Sequence, residues 1–530
     1  MPIRNPSRLI HYLLAALLIS SLAHASNTPE LPRPVLTAYS RQLRVDLIWP
    51  ESSARYFEIQ SSSSPGGPYI PLHQGLHREV PAYCDFIGKA HATRYYRLRS
   101  VNPDESGGIA SASEWSEVVQ GTSQPHAPDL LLTELQEASW RYFYHYGHPV
   151  SGLAREGAPR KPELCTIGAT GMGLFNLGVG VERGFSSRQE AATQALKILT
   201  FLHEKADRFH GAFPHWINGE TGETIPFSQY DDGADLVETA YLAQGLLYTR
   251  EFFDQDHALE KQVRSLADKL WREIEWDWFA SEKGGRACLF WHWSPNYGWR
   301  MNMPVRGFNE CQITYLLALA SPTHPAPMKA YQDSWYNDSF STNRTDFGVQ
   351  HELGQRLGFP LFFAHYSYLG FDPRRVAYNG KTYFDHFTDA CKVQLAYAHS
   401  RQMDFMDYGP LWGLTASLDP TGYMAHEPGS THDNGTISPT AALSSMPYLP
   451  EASLQFLQTL YLEYGNRTWG PFGPIDAFNL NEKWFSPELL GIDVGPIGPM
   501  VENHRTESCW STFMQAAEIQ QLLPRLPDKR

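Results

Sequence analysis

The 530-residue chain is short of positive charge, with 43 Lys and Arg against 57 Asp and Glu and a formal net charge of −14. Nucleic acid and anionic membrane surfaces both need a basic footprint, so neither is expected as a partner. Cysteine is scarce and scattered. Cys84, Cys165, Cys288, Cys311, Cys391 and Cys509 stand singly, without C-x-x-C spacing, and give no disulfide framework. The 21 His include no H-E-x-x-H, so neither a catalytic metal nor any other cofactor is expected. No G-x-S-x-G elbow occurs. Gly171-Met172-Gly173 lacks the third glycine and the preceding strand of a dinucleotide loop. Asn379-Gly380-Lys381-Thr382 has Arg375 where a phosphate-binding loop needs glycine. Beyond the first 25 residues no segment is apolar and long enough to span a bilayer, and membrane insertion is not expected. No repeat is visible, which disfavours a solenoid of identical units.

Other features are plentiful. Arg4 and Arg8 precede a mostly apolar stretch from Leu9 to Leu22, which ends in Ala23-His24-Ala25. This is the layout of a secretory signal over residues 1–25, and it predicts a periplasmic or secreted protein. Hydrophobic residues make up 42% of the chain, enough for a sizeable core in one large domain plus a smaller one. Aromatics reach 13%, with 15 Trp. Flat apolar rings suit the C–H faces of neutral sugars, although most Trp in any protein fill core.

Residues 31–122 alternate with a period of two, as in Leu43-Arg44-Val45-Asp46-Leu47-Ile48-Trp49 and Tyr95-Tyr96-Arg97-Leu98-Arg99. Turn-rich segments such as Ser64-Pro65-Gly66-Gly67 separate these runs. The pattern predicts a small all-β sandwich resembling a fibronectin type III module. It carries no constellation of acids or nucleophiles and reads as a structural unit. Residues 121–128 form the linker.

From residue 129 to 523 the period becomes helical. Amphipathic or apolar segments are expected at 130–146, 166–182, 187–208, 231–254, 258–275, 309–320, 384–401, 439–447, 450–464, 495–503 and 508–523, with a less regular one at 362–369. Their charge alternates. Residues 166–181 carry none, 187–208 mix both signs, 226–249 hold four acids and no base, and 258–275 mix again. Such alternation fits an inner and an outer layer of helices. The expected architecture is an all-α (α/α)6 toroid of six hairpins. The long connections at 322–358 and 404–438 are of the kind that build functional sites.

Asp231, Asp235 and Glu238 are spaced i, i+4, i+7, which on a helix puts them within about 60° of one another. A glycosidase needs one protonated and one ionised carboxyl group, and clustered like charges hold a proton near neutral pH. A solvated acidic face or helix-capping acids would look similar. The missing bases favour function. Glu310 follows Gly307-Phe308-Asn309 and opens an apolar helix, with Asn309 as the expected cap. Between helices, residues 290–299 hold Phe290, Trp291, Trp293, Tyr297 and Trp299. Pro295 and Gly298 prevent a regular core period, so the segment reads as a sugar-stacking loop, with Arg300 and Arg306 free to bond hydroxyls or steady a carboxylate.

At Tyr230-Asp231-Asp232-Gly233-Ala234-Asp235-Leu236-Val237-Glu238-Thr239 the chain resembles the glycoamylase-like domain of glycoside hydrolase family 144. The likeness continues through Cys165-Thr166-Ile167-Gly168-Ala169-Thr170-Gly171, Gly307-Phe308-Asn309-Glu310 and Tyr408-Gly409-Pro410-Leu411-Trp412-Gly413. It runs on through Asp433-Asn434-Gly435-Thr436, Trp469-Gly470-Pro471-Phe472-Gly473, Asp476-Ala477-Phe478-Asn479 and Glu502-Asn503-His504-Arg505. It covers about residues 130–523. The resemblance implies an (α/α)6 barrel hydrolysing β-1,2-glucan with inversion and without metal. It implies catalytic roles for Asp231, Asp235 and Glu238, with Glu310 as a candidate general acid. Aromatic and Arg residues of the barrel, Trp412 and Arg306 among them, would line a glucan cleft. Endo action yielding sophoro-oligosaccharides is the expectation. Exo release of sophorose, a non-catalytic glucan-binding protein and a polysaccharide lyase are the alternatives.

Overall fold

The computed structural model describes residues 31–527, apart from positions 74, 284, 337–340 and 355–356. The expected signal segment lies outside the described residues.

Residues 37–122 build two antiparallel sheets. One is β1 (Thr37–Arg41), β2 (Arg44–Ile48) and β6 (Ala82–Phe86). The other runs β4 (Ile70–Pro71), β3 (Tyr56–Ser62), β7 (Thr93–Pro103), β8 (Ile109–Ala112), with β5 (His77–Arg78) on β3 and β9 (Val119–Thr122) on β7. Val45, Leu47, Trp49, Phe57, Ile59, Tyr96 and Leu98 fill the space between the sheets. Strand β2 is buried on both faces. Its period-two pattern points Val45 and Leu47 into the sandwich and Arg44 and Asp46 the other way. These two charges do not face water, as alternation alone would imply, but meet the helical domain. Arg44 pairs with Asp46 at 3.0 Å and with Glu134 at 2.6 Å, and donates to Tyr461 Oη at 2.6 Å. Arg141 reaches Asp46 at 3.1 Å.

The helices begin with α1 (Pro128–Tyr144), α2 (Ile167–Glu182), α3 (Arg188–Glu204), α4 (Leu236–Phe252), α5 (Ala258–Arg272) and α6 (Gln312–Ala320). The short α7 (Met328–Ala330), the long α8 (Tyr383–Ser400), α9 (Pro439–Leu443) and α10 (Pro450–Thr468) follow. The chain ends in α11 (Gly491–Val494), α12 (Ile497–Arg505), α13 (Ser508–Phe513) and α14 (Ala517–Leu522). Helices α2, α4 and α6 are buried along nearly their whole length. Mixed-charge α3 and α5 expose one face and pack on each other outside them. Glycine sets the closest approach of the inner pair. A Cβ on Gly171 would sit 2.2 Å from Tyr241 O, and one on Gly245 2.3 Å from Gly171 O. Gly171 is thus a helix-packing residue. The chain's end returns to its beginning. Gln136 of α1 donates to Glu502 of α12 at 2.9 Å, Arg183 pairs with Glu502 at 2.6 Å, and Asn176 of α2 donates to Gly495 O at 3.0 Å. The helices therefore close a ring.

Two expectations change. The segment at 362–369 forms two 3-10 turns, Leu361–Ala364 and Tyr366–Tyr368, rather than an α-helix. The helical domain is also not purely α. Its long connections carry many two- to six-residue antiparallel strands, among them Ala234–Asp235 with His292–Trp293 and Ala416–Asp419 with Gly422–Ala425. Backbone buried in such loops needs partners, and short ladders supply them.

Candidate active site

The acids at 231, 235 and 238 do not share a helix face. Helix α4 starts at Leu236, and Asp235 is its N-cap, accepting from Val237 N at 3.0 Å and Glu238 N at 2.9 Å. Asp231 lies before it in a turn closed by Phe227 N to Asp231 O at 2.9 Å. The three still converge, because capping geometry folds the preceding chain back over the helix mouth. Glu238 accepts from Gly168 N at 2.7 Å, an amide in the first turn of α2. A Cβ on Gly168 would stand 2.4 Å from Glu238 Oε2, so only glycine allows this bond.

Two histidines complete the cluster. His215 Nδ1 is 3.2 Å from Asp235 Oδ2. The ladder that pairs Asp235 with His292 sets His292 Nε2 at 3.4 Å from Asp231 and 3.6 Å from Asp235. Trp291 lies parallel to the His292 ring at 5.6 Å and braces it.

Their electrostatics diverge. Burial, then repulsion from Asp235, pushes the Asp231 carboxyl up to about 7. Burial pushes Glu238 up to about 7, opposed by His215 and assisted by Asp235. Asp235 is held below its ordinary value against the cost of burial, by the His215 bond, the His292 and His215 charges and the Glu238 amide. Glu238 and Asp235 overcome burial to lift His215 to about 10. His215 is therefore an imidazolium at neutral pH, while burial depresses His292. Asp231 Oδ1 and His292 Nδ1 are buried without a hydrogen-bond partner from the protein.

Glu310 comes from a third direction. The helix it was expected to open begins two residues later, at Gln312, and Asn309 Oδ1 accepts from Cys311 N at 2.9 Å. Its carbonyl oxygen is tethered by Tyr241 Oη at 3.4 Å and by Ser367. Burial, with added repulsion from Asp235 and Glu238, raises its carboxyl to about 7. Asp235 and Glu238 thus act electrostatically on both Asp231 and Glu310.

Sequence reasoning missed a second acidic pair. Asp476 and Asp493 are each 3% exposed. Asp476 accepts from Leu418 N at 2.8 Å, and Asp493 from Tyr366 Oη at 3.1 Å. Burial raises Asp476 to about 6, and burial with Asp476 beside it holds Asp493 far above the carboxylate range. A side-chain hydrogen bond joins the two carboxyls. Tyr366 also packs edge-on to Tyr241 at 5.7 Å, which links the pair to the Glu310 tether. His215, His292 and this pair left no trace in sequence spacing, since each meets its partners at sequence separations of 17 to 127 residues. The Asp476-Ala477-Phe478-Asn479 block was the one visible signal.

The aromatic residues divide. Tyr297 and Trp299 are exposed, Trp299 with its edge on Phe279 and Phe290. Trp291 and Trp293 are half-buried, Trp293 set edge-on to His210 at 5.4 Å. The 290–299 segment is thus partly a strand that positions His292, and only its tip meets solvent. Arg306 is half-buried with Nη2 3.9 Å from Cys288 Sγ. Trp412 does not fit the cleft-lining role. It is 1% exposed within the hydrophobic core and has no face for a sugar. All six cysteines are free thiols.

His215, Asp231 and Asp235 bring possible ligand atoms within 4.8 Å of one another. In the absence of a cation the His215 proton supplies the positive charge among these acids.

The Glycoamylase family model matches residues 302–517. An exo-β-1,2-glucooligosaccharide sophorohydrolase (non-reducing end) from Parabacteroides distasonis is 37% identical over 531 positions, covering 95% of this chain and 72% of the relative. A crystal structure of a β-1,2-glucanase from Parabacteroides distasonis superposes with a TM-score of 0.88 at 37% identity, over 93% of this chain and 73% of that one. An endo-β-1,2-glucanase from Chitinophaga pinensis, in complex with sophorotriose and glucose, gives a TM-score of 0.73 at 41% identity, over 76% of this chain and 99% of that one. With carboxyl groups of opposed protonation gathered at the mouths of its inner helices, the chain belongs to the glycoamylase-like glycoside hydrolases of the family 144 type.

Proposed function

We propose that this hydrolase cleaves β-1,2-linked glucan by inversion and acts from chain ends, releasing sophorose. The observation that carries the chemistry is a set of carboxyls near neutrality around a charged one. Glu310, lifted to about 7, holds the proton that the leaving glycosidic oxygen requires. Asp231 is also lifted to about 7 and has a carboxylate oxygen free of protein donors. It accepts a proton from the attacking water, while His292 Nε2, 3.4 Å away, holds it in place. A group titrating near the working pH is best suited to each task.

Exo action is favoured over the endo action expected from sequence. The likeness to the exo-acting relative extends over 95% of the chain and so includes the sandwich, whereas the endo-acting structure matches 76%. The basic, apolar and Ala-His-Ala succession at the N-terminus supports an exported enzyme.

The test is incubation with linear β-1,2-glucan beside β-1,3, β-1,4 and α-1,4 glucans, with products sized over time. Sophorose alone from the first time point is the expected result. An early ladder of mixed sizes would replace exo with endo action. Absence of cleavage of the β-1,2 chain would overturn the substrate, and ultraviolet-absorbing products would indicate a lyase.

A further inference from the structure

The turn that carries Asp231 also presents Phe227, an apolar ring 48% exposed beside a cluster of ionisable groups. The turn is rigid. Phe227 N and Ser228 N both donate to Asp231 O, at 2.9 and 3.3 Å, and Asp231 N donates back to Ser228 O at 3.2 Å. One side of the Phe227 ring is occupied. The His215 ring lies 4.3 Å away at a tilt of 38°, and Trp216 4.6 Å away at 51°. His215 in turn bonds Asp235 at 3.2 Å. Phe227 therefore stands one imidazole away from Asp235 on its covered side, and its backbone is hydrogen-bonded to Asp231.

Phenylalanine has no polar handle, so its exposure here serves no hydrogen bond. An apolar surface that covers this ring is favoured by the area it removes from water. In a glucan the surface of that kind is the C–H face of a pyranose. We propose that Phe227 is the stacking platform for the glucosyl unit next to the bond being cleaved, and so a substrate-positioning residue of this site. The inference rests on the glucan-hydrolase reading above. It differs from the aromatic loop at 290–299 in place and in consequence. Tyr297 packs edge-on against Tyr230 at 5.2 Å, and Arg300 lies 5.5 Å over Tyr230, so that group forms an outer rim. Phe227 is the exposed ring on the turn of Asp231 itself.

The experiment compares Phe227→Ala, Phe227→Trp and Phe227→Tyr in the full chain, using β-1,2-glucooligosaccharides of defined length. The expected result for Phe227→Ala is a KM raised about tenfold, with kcat reduced far less and the pH limbs in place. Phe227→Trp and Phe227→Tyr restore KM. Oligosaccharide titration of Glu310→Gln with and without Phe227→Ala, read by tryptophan fluorescence, shows the same loss of affinity without turnover. An unchanged KM in Phe227→Ala would overturn the platform. A fall in kcat with displaced pH limbs and no rescue by Trp or Tyr would also overturn it, by showing that Phe227 only props His215. Should the wild type leave β-1,2 chains intact, the functional reading fails first. If the wild type cleaves them and Phe227→Ala equals it, this inference fails alone.

Discussion

Glu310, Asp231 and Glu238 carry the same chemical group and reach the same value near 7 by different routes. Burial dominates each, and the balance of nearby charges then decides which proton can move. Glu310 must be protonated to act as donor, so kcat/KM falls as pH rises above about 7. Asp231 must be ionised to accept, so activity falls again below about 7. The two limbs belong to coupled groups, and a narrow bell near neutrality is expected in a pH–rate profile. Glu310→Gln lowers kcat by about 10²–10⁴-fold, erases the alkaline limb and keeps sugar affinity. Full activity in that variant would remove Glu310 from the mechanism. Metal removal supplies a further test at this scale. Because the proposed steps at Glu310 and Asp231 need proton transfer alone, prolonged dialysis against EDTA leaves kcat unchanged. A loss restored by a single added metal would reverse the assignment of His215 as a cation.

Asp235 shows how one residue of an element separates scaffold from chemistry. As N-cap of α4 it satisfies two amides, while its other oxygen faces His215. Asp235→Ala removes both functions and costs about 0.5–2 kcal/mol of stability through the lost cap. Asp235→Asn keeps a capping oxygen. Thermal unfolding therefore finds Asp235→Asn closer to wild type than Asp235→Ala, while both lose turnover. Equal stability of the two variants would show that the cap does not hold α4 in place. The same helix marks what the sequence made legible. The apolar run from Leu236 was plain, and so was the scarcity of bases around Asp231, Asp235 and Glu238. The helix start was not legible, because acids before a helix read equally as its first turn or as its cap. The charge alternation that separates α2 from α3 and α4 from α5 was visible for a physical reason: inner helices meet protein on every side. Short ladders such as Ala234–Asp235 with His292–Trp293 were invisible, since two residues show no period. His292 stood within the aromatic segment, yet only that pairing gives it a role. Trp412 was legible through the resemblance alone, and only packing separates a core Trp from a platform.

At the scale of the whole molecule, the seam between sandwich and helices fixes stability and its response to pH. Arg44 and Asp46 are each 1% exposed. Against the cost of burial, Arg44, Arg141 and Arg41 hold the Asp46 carboxyl below its ordinary value. Its contribution is therefore present above the unfolded carboxylate range and is lost as pH falls through the lowered value. The site carboxyls run the other way. With folded values near 7 and unfolded values near 4, they bind protons more tightly in the native state, and stability declines as pH rises from about 4 to about 7. Buried His77, His145 and His148, lowered to about 4, and His365, lowered to about 3, oppose the trend of the site carboxyls, because their contribution is lost as pH falls below about 6.5. The seam also sets cooperativity. Arg44 joins β2 to α1 through Glu134 and to α10 through Tyr461, with its guanidinium 5.3 Å from the Trp469 ring. Arg44→Met removes that charge while Asp46 and Glu134 stay behind. Truncating one member of a buried ion pair costs about 3–5 kcal/mol, far more than a surface pair would. In the wild type, signals from the sandwich and from the helices should disappear in one thermal transition. In Arg44→Met the sandwich should melt first, at lower temperature, while the helical signal persists. Two separate transitions already present in the wild type, or an unmoved midpoint in Arg44→Met, would show that the sandwich rests on the helices without stabilising them.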